Sequence, residues 1–208
     1  SSKNVAVGSA ALFAHNLGSA GDGYNTAVGF YAGVAVTTGV QNTLIGGLAG
    51  DEITTGSSNV AIGLSSLTSN TTANDNVGVG QHSLRLNTTG ASNTAVGGSS
   101  LFSNTTASNN TAVGYQSLTD NTTGVRNSAF GDNSLANNTT ANNNNAFGYL
   151  SLYTNTTGTQ NVAIGTEALT ANTTASNNTA VGYQSLLANT TGTRNNALGN
   201  LALATNKC

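Results

Sequence analysis

The stretch Asn110-Thr-Ala-Val-Gly-Tyr-Gln-Ser-Leu-Thr-Asp-Asn-Thr-Thr-Gly-Val-Arg126 decides the fold, because the chain keeps repeating it. The next unit opens at once with Asn127-Ser-Ala-Phe-Gly131. The glycine closing this motif recurs at Gly8, then Gly29, and from there in steps of 17 residues to Gly199. Only the first step differs, at 21 residues. A fixed internal period of this kind settles the architecture before any single residue does.

A 17-residue unit is too short for a helical hairpin with its turn. It carries Val, Ile and Thr in short alternation between Gly and Asn, which reads as strand and turn. Proline is absent, as expected where most backbone N–H groups must pair with a neighbouring coil. The repeat therefore predicts an all-β chain, a parallel β-solenoid of about twelve 17-residue coils. Coils stacked at strand spacing of about 4.8 Å make a rod roughly 50 Å long. One repeat domain spans 1–208, with an irregular first coil over 1–24 and regular coils over 25–208.

A longer period lies over the first. The residue after Thr-Thr alternates as Ala73, Gly90, Ala107, Gly124, Ala141, Gly158, Ala175 and Gly192. Tyr115, Tyr149 and Tyr183 recur every 34 residues.

In a solenoid each repeat position becomes a column along the rod. Neighbouring strand residues point to opposite faces. The position before glycine is apolar in every coil, and its members Val113, Ile164 and Val181 are expected inside. Leu118, Leu169 and Leu186 belong to a second column expected inside. The small residues Ala112, Ala129, Ala146, Ala163 and Ala180 then fall on the opposite face, where they read as an interface between chains. Burying two or three side chains yields roughly 1.5–3 kcal/mol each. Ordering a residue's backbone costs about 1–2 kcal/mol, so a lone coil is unstable and self-association is expected. Two Asn columns, Asn4 to Asn195 and Asn70 to Asn206, read as amide ladders along the axis.

Composition narrows the function. Charged residues are 6% of the chain and the net charge is −2. The five basic residues form no cluster, which argues against a nucleic-acid partner. No apolar run reaches the ~18 residues of a membrane span. His15, His82 and the scattered acids form no catalytic constellation, and Asp51-Glu52 is the one adjacent acidic pair. No Cys/His cluster suits a metal. The chain is expected to be no enzyme and to hold no cofactor. Cys208, the sole cysteine, has no intrachain partner. The Asn-Thr-Thr runs match the N-glycosylation sequon. The Tyr115, Tyr149, Tyr183 column is the candidate receptor or glycan strip.

Asn59-Val-Ala-Ile-Gly63 and Asn161-Val-Ala-Ile-Gly165 resemble the YadA-like head repeats of trimeric autotransporter adhesins. The longer form, Asn110 to Leu118 followed by Asn121-Thr-Thr-Gly124, looks still more like repeats in phage tail fibres. The resemblance covers almost the whole chain. It implies a left-handed β-roll, a homotrimer about one axis, an extracellular place on a virion or bacterial surface, and a structural or adhesive role in attachment. The coils here are longer than those of the YadA-like heads, so the residues around Asn-Thr-Thr enlarge a turn or add a short third side. Two alternatives come from the residues themselves. Thr-Thr at regular spacing suggests an ice-binding solenoid, although adjacent Thr residues face opposite ways. An exposed solenoid end can pair, which suggests a self-assembling filament.

Overall fold

The computed structural model describes residues 3–18 and 21–205. Asn206 and Cys208 lie outside the described residues. Among the described residues the chain forms twelve three-residue strands, from β1 (Val5–Val7) to β12 (Asn196–Leu198), and no helix. All lie in one parallel sheet, in chain order. The register is one coil, so Ala112 sits beside Ala129 and Ala129 beside Ala146. The expected β-solenoid is the observed fold.

Turns build the rest of each coil. In the coil of β7 (Thr111–Val113), φ is +136° at Gly114, +52° at Gln116, +52° at Leu118 and +57° at Arg126. Alternate residues after the strand are thus left-handed. Their N–H groups point to opposite neighbours: Gln116 donates to Gly98 O at 3.0 Å in the preceding coil, and Leu118 to Ser134 O at 3.0 Å in the next. A left-handed non-glycine residue costs roughly 1–2 kcal/mol. These coil-to-coil bonds and the complete burial of Leu118 offset that cost.

The interior corrects the expected orientation of the strands. The Ala column lies inside: Ala112, Ala129, Ala146, Ala163 and Ala180 are completely buried. Val113 and Val181 are only half-buried on the outer surface, and Ile164 is 41% exposed. Leu118, Leu169 and Leu186 are inside as expected. The reason is space. The Leu column and the buried Ser column of Ser66, Ser83 and Ser117 occupy the room behind the sheet. At Gly78, in the middle of β5 (Val77–Val79), an added Cβ would already lie 2.6 Å from Ser66 Oγ. A branched side chain has no room there, so the larger apolar residues turn outward.

The early coils show the same volume rule by exception. Leu44 replaces alanine in the middle of β3 (Thr43–Ile45) and is completely buried. Its space comes from Gly33 and Gly50, which stand where later coils carry leucine. A Cβ on Gly33 would meet Leu44 Cδ1 at 2.5 Å, and one on Gly50 would meet Leu44 Cδ2 at 2.8 Å. In these coils Val36 and Ile53 occupy the column that becomes the second Asn ladder at Asn70.

Both Asn ladders are buried and hydrogen-bonded. In the first, Asn110 Oδ1 accepts the backbone N–H of Asn127 at 2.9 Å, and Asn110 Nδ2 donates to Gly124 O at 2.9 Å. In the second, Asn121 Nδ2 donates to Asn104 Oδ1 at 3.0 Å and also to Gly124 O at 3.0 Å. From Ala73 to Ala175 one inward carbonyl per coil thus receives an amide from each ladder. The same convergence recurs at Ala107, with Asn93 and Asn104, and at Ala141, with Asn127 and Asn138. The buried amides are satisfied without water, as polar groups in a narrow interior must be. The pattern falters at Asn178, whose Nδ2 has no partner.

Candidate interaction surface

The outer face of the sheet is built from the first and third residue of each strand. The third residue is apolar from Val7 to Leu198, and it leaves a stripe of half-exposed aliphatic and aromatic side chains along the rod. Phe130 and Phe147, in register on β8 (Ser128–Phe130) and β9 (Asn145–Phe147), stack with centroids 4.8 Å apart and planes within 6°. Their faces cover one another along the axis, so their edges meet solvent.

Tyr115, Tyr149 and Tyr183 stand where strand gives way to turn, and they are 55%, 49% and 49% exposed. They form one column, separated by the exposed residues Asp132 and Thr166. Tyr115 turns a ring edge along the axis: its Cδ2 lies 3.4 Å from where a Cβ on Gly98 would be. Repeat spacing alone identifies this column.

The two Thr columns differ in role. Thr122 Oγ1 donates to Thr139 O at 3.0 Å in the next coil, and Thr105 Oγ1 to Thr122 O at 3.2 Å. The second residue of each pair, such as Thr123, is exposed. The Asn of each Asn-Thr-Thr run from Asn70 to Asn189 is buried. Those sequons are therefore closed to glycosylation in the folded chain.

Among the described residues no group of three or more His, Cys, Asp and Glu could hold a metal. A shallow pocket on the first coil is lined by Asn4, Leu12 and His15. Both ring nitrogens of His15 lack partners, and desolvation holds its pKa below the ordinary imidazole value. Asp51 is the other misfit: its Oδ1 is buried without a partner, and burial, with Glu52 adding repulsion, raises its pKa. A carboxyl with a raised folded pKa binds more protons folded than unfolded, so stability falls as pH rises above the ordinary carboxylate value. Asp51→Asn is therefore expected to melt higher than wild type at about pH 7 and level with it near pH 3. Thermal melts of both proteins across that range check the sign.

No family model, curated protein or solved structure matches the chain.

Proposed function

We propose that this chain is a rod-shaped structural segment of a trimeric attachment fibre, of the kind carried on phage tails or bacterial surfaces. The observation that supports this is the outward apolar column, unbroken from Val7 to Leu198. An isolated rod in water would leave that stripe exposed along its whole length, and contiguous exposed apolar patches mark association sites. A matching surface must repeat its contacts at the height of one coil. A parallel copy of the same rod does so at every level. The three-chain arrangement follows the resemblance of Asn161-Val-Ala-Ile-Gly165 to trimeric adhesin heads.

Light scattering on the purified chain tests the reading. The expected mass is three times the chain mass of 20.6 kDa, and a stable monomer overturns it. A double variant, Val113→Asp with Ile164→Asp, places charges in the stripe without touching the interior. It is expected to shift the mass to that of single chains while leaving the far-ultraviolet circular dichroism unchanged.

A further inference from the structure

We infer that the Tyr115, Tyr149, Tyr183 column is a binding track for an extended β-1,4-linked polysaccharide, with one ring beneath every second sugar.

The spacing carries the inference. The three tyrosines are two coils apart, which at strand spacing is about 9.6 Å. In an extended β-1,4-linked chain each pyranose advances by about the height of one coil. Successive sugars are turned over relative to one another, so the same sugar face returns only at every second unit. The rod and such a polymer thus share both the step and the doubled period. An α-1,4-linked chain winds instead of running straight and meets neither condition.

The chemistry of the positions agrees. A β-linked pyranose has an apolar face of axial C–H bonds that packs on the electron-rich face of an aromatic ring. The three tyrosines are about half exposed. No ring–ring pair occupies any of them, unlike Phe130 and Phe147, whose faces are taken by each other. Tyr115 brings its Cδ2 and Cε2 to 3.4 and 3.7 Å from the Cβ position at Gly98, so one edge of the ring packs toward that coil. Between the rings stand Asp132, one of whose carboxylate oxygens accepts from Asn133 Nδ2, and the exposed Thr166, placing a carboxylate and a hydroxyl at the intervening sugar. Beside them, Gln184 Nε2 donates to Glu167 Oε2 at 2.6 Å. Alternation of flat rings with short polar groups is what a two-sugar repeat requires. Self-association through the neighbouring Val/Ile/Phe column is a separate matter, and the inference stands whether or not the rod is trimeric.

The test is adsorption of the full chain to microcrystalline cellulose, to chitin and to granular starch, with the solution mass measured in parallel. Retention on cellulose or chitin, and not on starch, is expected; the two positive arms separate a glucan from an N-acetylglucosaminan. The triple variant Tyr115→Ala, Tyr149→Ala, Tyr183→Ala is expected to lose at least about tenfold in affinity, since each ring removed deletes one stacking contact. A second variant, Thr166→Tyr with Tyr183→Thr, keeps three tyrosines but breaks the two-coil spacing, and it should bind at least about threefold more weakly. Failure of the wild type to bind either β-linked polymer overturns the inference. So does equal binding to starch, or unchanged binding by the respaced variant. A triple variant whose solution mass falls would assign the column to contact with a second copy instead, which also overturns it.

Discussion

Gly114→Ala is expected to destabilise the rod by about 3–5 kcal/mol, a severe effect for removing no contact at all. Gly114 has φ at +136°, where an L-residue is strained. An alanine Cβ would also lie 2.6 Å from the carbonyl carbon of Gly131 and inside contact distance of its oxygen. Both obstacles are backbone, and that backbone is bound in turn: Gly131 N donates to Val113 O at 2.8 Å. Nothing can yield without opening the interface between two coils. In a stacked array each unit contacts only its neighbours, so the damage is local. The expected signature is therefore double: a lower urea midpoint, and hydrogen exchange accelerated at the coils around residue 114 rather than at both ends. Retention of wild-type protection there would refute the argument. The next residue of positive φ, Gln116, need not be glycine, because its φ of +52° lies in the narrower left-handed region open to L-residues.

The second large effect is expected at Asn110. Replacing it by alanine removes the acceptor of the Asn127 N–H, which is buried and has no other partner nearby. It also removes one of two donors to Gly124 O and leaves a cavity. An unsatisfied buried donor costs about 1–3 kcal/mol, and the lost bond and cavity bring the total to about 3–4 kcal/mol. Asn110→Asp separates these contributions. The carboxylate can still accept from Asn127, but it faces the Gly124 carbonyl instead of donating to it. Burial favours its neutral form, so this variant should be weak at neutral pH and recover partly on acidification, whereas Asn110→Ala should not recover. Denaturant titrations at two pH values distinguish the pair; identical pH behaviour would mean that the amide does not act as both donor and acceptor.

Much of this structure was legible from the repeat, and the errors have one source. The 17-residue period, the strand at Thr111–Val113, the Leu118 column and the Asn ladders all follow from residues recurring in register. Alternation showed that Ala112 and Val113 face opposite ways, but it could not show which way is in. Size favoured Val113, since larger apolar side chains release more water-exposed surface. The interior volume decided otherwise, because Leu118 and Ser117 already fill it from the far side. That quantity belongs to the closed coil and to no single stretch of sequence. The left-handed turn was hidden for a related reason: Gln116, Leu118 and Arg126 are residue types that rarely take positive φ, and only stacking between coils holds them there. The Tyr column was legible as a spacing, while its exposure became known only with the direction of the turn.

The alternation of Gly and Ala after Thr-Thr sets how such a rod can change length over generations. A Cβ on Gly124 would meet Asn121 Oδ1 at 2.5 Å and collide with the Ala141 carbonyl. Ala107 and Ala141 are thus each separated by a coil that lacks the methyl group. A duplication or loss of one coil brings two methyl-bearing coils together, or two bare ones as already found at Gly39 and Gly56. A duplication or loss of two coils keeps the Gly/Ala alternation in step. Lengthening by pairs of coils also carries the tyrosine spacing along unchanged.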